Sequence, residues 1–220
     1  MKIKLFHFLC LIFLKFQLFA QVDSLKVGDK YWEDQLYLSL TYNILQNQPS
    51  GVSANDISYG ISGGYIKDFP LNKKGSLAIG IGIGYAYDYF KNDLIVTNDS
   101  FAINSEASAS IYKFHSIEFP LQLRWRSSDA ITYSFWRVYL GFRPNYNLFN
   151  KFSYDLNGNI SNSNIESFNR FQNGLELSIG YDAFNLFIYY GLSDVFNDAF
   201  ILEEQIQTRV LKLGLIFYLL

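Results

Sequence analysis

The chain has 220 residues, half of them hydrophobic, with 21 Phe, 17 Tyr, one Cys and a formal net charge of −2. That length suits a single domain. The near-neutral balance leaves no basic footprint for nucleic acid, and so many aromatics with so few prolines exclude a disordered chain.

Met1 to Ala20 has the parts of a secretory signal: Lys2 and Lys4 at the start, an apolar run from Leu5 to Phe19, and the small Ala20 ahead of Gln21. Export and removal of residues 1–20 are expected. His7 and Cys10 leave with that segment, so thiol chemistry is excluded and His115 is the single mature histidine. Residues 21–34 read as a mostly polar periplasmic segment in which Trp32 anchors at the inner interface, and residues 35–220 as one barrel domain.

Strand one, Gln35 to Leu45, sets Leu36, Leu38, Leu40, Tyr42 and Ile44 on one face against Tyr37, Ser39, Thr41 and Asn43. Ile57, Tyr59, Ile61 and Tyr65 mark strand two, with Ser58, Gly60, Ser62 and Gly64 opposite, and Asp68 to Gly75 is expected to turn the chain. Strand three shows the alternation best. Leu77, Ile79, Ile81, Ile83, Tyr85, Tyr87 and Tyr89 point one way, and Ala78, Gly80, Gly82, Gly84, Ala86 and Asp88 the other.

After a long polar stretch from Lys91 to Ser110, strand four alternates Ile117, Phe119, Leu121, Leu123 and Trp125 with Ser116, Glu118, Pro120, Gln122 and Arg124. Strand five alternates Trp136, Val138, Leu140, Phe142, Tyr146 and Leu148 with Arg137, Tyr139, Gly141, Arg143 and Asn145. Pro120 and Pro144 each remove a ladder donor, so a bulge or local break is expected there. A polar stretch, Asn150 to Phe171, precedes strand six (Leu175, Leu177, Ile179 and Tyr181 against Glu176, Ser178 and Gly180). Strand seven follows after a tight turn (Leu186, Ile188, Tyr190 and Leu192), then the polar loop Ser193 to Gln207, then strand eight (Leu211, Leu213, Leu215, Phe217 and Leu219 against Lys212, Gly214, Ile216 and Tyr218).

The bulky face must be the outside. A soluble eight-stranded barrel or sandwich would turn it inward and keep only Gly, Ser and Asn as its wet surface, with almost no Lys or Glu to hold it in solution. An eight-stranded antiparallel up-and-down transmembrane β-barrel fits instead: aliphatics meet lipid, tyrosines sit at headgroup level, and glycines make room inside. Ile81→Arg is then expected to impair insertion and Gly60→Ser to be tolerated. No uncharged run after residue 20 reaches the roughly 18 residues of a membrane helix. Connections after strands one, three, five and seven are long and polar and those after two, four and six short. This pattern predicts four outer loops, three periplasmic turns and both termini in the periplasm.

The inward positions collect Glu118, Gln122, Arg124, Arg137, Tyr139, Arg143, Glu176 and Lys212. In a narrow barrel this reads as a plug of paired charges rather than a relay, because buried charges need partners. An enzyme has little to work with. Ser116, beside His115, points to the opposite face, so no nucleophile–base pair forms. One histidine without cysteine makes no zinc site, and Asp155 to Asn159 resembles a calcium loop only superficially, since the closing glutamate is missing. The lone lipid-facing histidine and closed interior lead us to expect no catalysis, cofactor or small-molecule substrate, with outer-membrane lipid as the obligatory partner. Lys212, Gly214, Phe217 and Leu219 are spaced like the C-terminal signal read by the outer-membrane insertion machinery.

Three blocks, Ile117-Glu118-Phe119-Pro120, Arg124-Trp125-Arg126-Ser127-Ser128 and Phe135 to Phe142, resemble the PorT family, called SprT in gliding bacteria. Tyr189-Tyr190-Gly191-Leu192 and Leu211 to Tyr218 are similar to it too. The resemblance implies an outer-membrane component of the type IX secretion system of Bacteroidetes, needed to export proteins with C-terminal sorting domains and, in gliding species, motility adhesins. It carries no catalytic residues over. Trp125, Arg126 and Trp136, flanking the turn Ser127 to Ser134, are the candidate contacts to another secretion component. Without the resemblance, a stand-alone structural or adhesive barrel fits the same periodicity.

Overall fold

The computed structural model describes residues 34–52, 57–97, 100–103, 108–127, 136–155, 158–201 and 203–219. The signal segment, Trp32, Phe135, most of the turn Ser127 to Ser134 and Leu220 lie outside the described residues. Alternation along the chain becomes eight barrel strands: β1 (Gln35–Gln46), β2 (Tyr59–Pro70), β3 (Leu77–Asn92), β4 in two pieces (Ser108–Glu118 and Leu121–Arg126), β5 in two pieces (Trp136–Phe142 and Asn145–Asp155), β6 (Gly174–Tyr181), β7 (Phe184–Gly191) and β8 (Arg209–Leu219).

Each strand pairs antiparallel with its sequence neighbours, and β1 closes the ring on β8 with Leu36 opposite Leu219 and Gln46 opposite Arg209. Closure leaves no unpaired edge, the condition for backbone to cross hydrocarbon. The outward rows of aliphatics, Leu36 to Leu40, Ile79 to Ile83, Leu121 to Leu123, Leu186 to Ile188 and Leu213 to Leu215, are exposed all round. Among the described residues no helix is long and apolar enough to cross a membrane; the strands make the apolar belt.

Two expectations need correction. The turn expected from Asp68 begins only after Pro70, because β2 keeps its period through Ile66 and Asp68, both fully buried inside. The same extension turns Lys67 outward, where its ammonium lies 3.5 Å from the Asp34 carboxylate while Tyr65 donates to Asp34 at 2.6 Å. Polar as they are, the long connections are also not structureless: Leu94–Val96 pairs with Phe101–Ile103, and the upper piece of β5 pairs with Asn159–Ser163 and with Phe171–Gln172.

Pro120 and Pro144 do interrupt their strands, but side by side and without a shift of register. Glu118 faces Asn145 above the gap and Leu121 faces Phe142 below it. The Phe119 amide donates to the Pro144 carbonyl across the gap, and Gly82 to that of Pro120. A register shift lies higher, between His115 and Ser116, whose partners are Phe149 and Asn147. Leu148 is the extra residue, so Leu148 and Phe149 both point outward.

Candidate functional site

Inward side chains of all eight strands converge in the lumen, and they do so because the small inward residues of β2 and β3 leave the space. A Cβ on Gly84 would sit 1.8 Å from the Tyr37 hydroxyl, and one on Gly80 2.7 Å from Arg124 Cδ. Long side chains of the nearby strands β4 and β1 thus occupy the room that glycine leaves.

At the short-turn end, Asp68 lies between two guanidinium groups. It pairs with Arg124 and, at 2.6 Å, with Arg126, while Gln35 accepts from Arg124 and the Gly75 carbonyl accepts from Arg126 Nε at 2.6 Å. Arg124 stacks over Tyr139, 4.1 Å from the ring centroid, and Arg137 donates to the Asp182 carbonyl. Both Arg124 and Arg126 are completely buried.

In the middle layer Arg143 bridges Glu118 at 2.8 Å and Glu176 at 2.5 Å. Tyr37 donates to Glu118 at 2.6 Å and Gln122 to Glu176 at 2.8 Å. These contacts satisfy charges that would otherwise be very costly away from water. Above them Lys212 meets Asp88 at 2.7 Å, and Asn43 donates to the other Asp88 oxygen at 2.9 Å. Cavities of about 20 and about 10 Å³ border this layer, each room for roughly one water.

The long-loop end is closed by a third kind of packing. Phe90, Tyr112, Phe114 and Phe152 continue the inward rows above the polar layers, where Ile165, Phe168, Val195 and Phe196 from the connections cover them. Tyr112 and Phe152 meet edge-on at 4.7 Å, and Phe114 and Phe168 are tilted against each other at 4.8 Å.

The structure thus brings Glu118, Gln122, Arg124, Arg137, Tyr139, Arg143, Glu176 and Lys212 into one lumen. Sequence reasoning missed Asp68, Gln35 and Asn43 as members. The signal for Asp68 was present, since it stands in phase with Gly60, Ser62 and Gly64. Arg126 is corrected: it faces the interior on Asp68 and is buried, so it offers nothing to a partner outside. Trp125 and Trp136 are exposed on the outer wall at the short-turn rim, Trp136 edge-on to Tyr181 at 5.8 Å. Gly60 is also corrected, because a Cβ there meets Asp88 Oδ1 and Thr41 Oγ1 at 2.6 Å, so Gly60→Ser disturbs the Asn43–Asp88 bridge. His115 faces outward beside Tyr85, its Nδ1 2.5 Å from the Tyr85 hydroxyl, far from Ser116 chemistry. Of the insertion pattern, Phe217 packs edge-on against Phe184 at 5.0 Å on the outer wall, and a Cβ on Gly214 would lie 2.0 Å from the Leu40 carbonyl.

Comparison with family profiles agrees with this architecture. No curated protein matches the chain. Solved structures similar to it include Ail, the attachment invasion locus protein of Yersinia pestis, in complex with the heparin analogue sucrose octasulfate: 13% identity, TM-score 0.40, covering 85% of this chain and 97% of that one. Ail in a second structure has 14% identity and TM-score 0.37 over 84% and 96%. A mutant Rh. blastica porin has 8% identity and TM-score 0.23 over 86% and 100%. Residues 19–197 match the profile of the outer membrane protein beta-barrel domain. A closed antiparallel barrel with an apolar exterior and a match over most of its length, the chain belongs to the outer membrane protein beta-barrel domain family and resides in the outer membrane.

Proposed function

We propose that this barrel is a non-enzymatic subunit of the type IX protein secretion apparatus, required for export of proteins with C-terminal sorting domains and, in gliding species, for motility. The observation that carries the reading is the filled lumen: Arg143 between Glu118 and Glu176, and Asp68 between Arg124 and Arg126, occupy the interior with paired charges. A lumen filled in this way favours neither solute passage nor acid–base chemistry. Work is then left to the outer wall and the rims. The resemblance of the block from Ile117 to Phe142 to the PorT and SprT family supplies the apparatus. In this reading residues 1–20 are removed, residues 21–34 and both termini lie in the periplasm, and Lys212, Gly214, Phe217 and Leu219 direct insertion.

Trp125 and Trp136 are the contacts assigned to another component of that apparatus. Both are exposed at the short-turn rim, and large aromatics dominate binding energy where they are anchors, at about 2 kcal/mol or more per truncation. Deletion of the protein followed by a census of secreted proteins is the first test. Loss of the cargo with C-terminal sorting domains is expected, whereas an unchanged census favours a stand-alone structural or adhesive barrel. Trp125→Ala with Trp136→Ala should insert normally yet lose export and co-purification with the apparatus. Tyr85→Ala with Tyr87→Ala, a girdle control on β3, should keep both. Equal behaviour of the two pairs assigns the tryptophans to the aromatic girdle alone.

A further inference from the structure

Outward positions at the long-loop end of β3, β4 and β5 change from aromatic to basic over a single step of the alternation. On β3 the row Tyr85, Tyr87, Tyr89 is followed by Lys91, and Tyr89 lies opposite Lys113 of β4. Lys113 in turn lies directly opposite Lys151 of β5, one step above the pair His115 and Phe149. Their neighbours in sequence, Phe90, Tyr112, Phe114, Asn150 and Phe152, are all buried inside, which fixes the three lysines on the exterior. Like charges placed directly across a strand pair are destabilising, and neither Lys113 nor Lys151 has an acidic partner among the described residues. Another outward cation near this rim, Arg209 on β8, is by contrast paired with Asp194 at 2.7 Å.

Height decides what meets them. From Trp125 at the opposite rim to Lys113 the chain of β4 covers roughly 40 Å at about 3.3 Å per residue. With a tilt of about 40° this is a height of roughly 30 Å, just above an apolar band of about 25 Å. The ammonium groups stand at headgroup level, over a tyrosine girdle that packs acyl chains. Three lysines on three adjacent strands also spread over roughly 10 Å of wall, wider than one phosphate but suited to a headgroup bearing more than one.

We propose that this wall is a binding site for a multiply phosphorylated glycolipid of the lipid A class, its phosphates held by Lys113 and Lys151 with Lys91 at the margin and its acyl chains against Tyr85, Tyr87 and Phe149. The site rests on the reading that the long loops face outside, where such lipids form the outer leaflet.

The test uses the mature barrel in zwitterionic detergent, titrated with bisphosphorylated lipid A, with the same lipid after dephosphorylation, and with phosphatidylglycerol, bound lipid being counted by native mass spectrometry. Retention of bisphosphorylated lipid A well above the other two is expected. Lys113→Gln with Lys151→Gln should weaken it about thirtyfold, from roughly fivefold per lysine at a charged membrane surface. Lys67→Gln at the other rim should leave it unchanged. Equal retention by the double variant and the parent, or of the dephosphorylated lipid, overturns the site, and equal retention of phosphatidylglycerol overturns its assignment to a glycolipid. Because the readout needs no secretion apparatus, lipid retention with an unchanged secretion census would sink the secretion reading alone, and the converse would sink only the lipid site.

Discussion

Asp68 and Arg143 occupy opposite electrostatic positions in the same lumen, and this decides which substitutions are tolerated. Asp68 is one carboxylate between two buried guanidinium groups, whereas Arg143 is one guanidinium between two buried carboxylates. Removing Asp68 leaves two positive charges facing each other in a site shut off from water, and breaking a buried pair by deleting one member costs about 3–5 kcal/mol. Removing Glu176 leaves Arg143 and Glu118 as a balanced pair that Tyr37 still supports. Asp68→Ala is therefore expected to lower the midpoint of urea unfolding in detergent sharply. Glu176→Gln should cost only about 1 kcal/mol, the scale of one altered hydrogen bond, and equal losses would show that charge balance does not govern the lumen. Of this network the arginines and glutamates were legible from phase and residue type, since a buried charge has to pair. The identity of the partners was not, because pairing crosses strands distant in sequence, as from Gln35 to Arg124.

At the scale of the element, the alternation was legible wherever outward and inward residues differ in chemistry, and lost where they do not. Phe90, Tyr112, Phe114 and Phe152 hold the inward phase above the membrane, but an apolar inward residue in a polar segment reads as noise until the covering side chains Phe168 and Phe196 are known. The Leu148 bulge was hidden for a related reason: Leu148 and Phe149 are both apolar, so nothing marks which one is extra. The two prolines were legible as lost donors, yet that both breaks fall at the same level of β4 and β5, which preserves register, depends on the pairing itself. The bulge makes a sharp prediction. Deleting Leu148 removes the supernumerary residue and keeps Asn150 and Phe152 inward, so the variant should insert and show the heat-dependent gel shift of a folded barrel. Deleting Leu140 from the regular part of β5 exchanges the faces of every residue on one side of it, putting Phe142 inside or Arg137 in lipid, and should abolish folding. If both deletions fold, register in this wall is not fixed by the side chains it buries.

For the whole molecule, the stacking of unlike layers matters more than any one of them. Ion-paired arginines close the short-turn end, the Arg143 layer crosses the middle, Lys212 and Asp88 lie above, and an aromatic cluster closes the long-loop end. Each layer blocks the path independently, so removing one should not open the barrel. Replacing residues 94–103, which supply part of the aromatic cover, by a short polar turn should leave the reconstituted protein silent in planar-bilayer recordings, because the charged layers below remain. Tyr37→Ala with Tyr218→Ala removes two large buried rings from the middle of the lumen while leaving every ion pair in place. It should admit water there but still meet Arg124 and Arg126 beneath, so it too should give no stable open level. Because the Arg143 layer and the Lys212–Asp88 pair persist in both variants, neither is expected to yield steady current. A stable large conductance from the unaltered protein would show that the layers part in a membrane, and function would then have to be sought in transport through the lumen instead of on the wall.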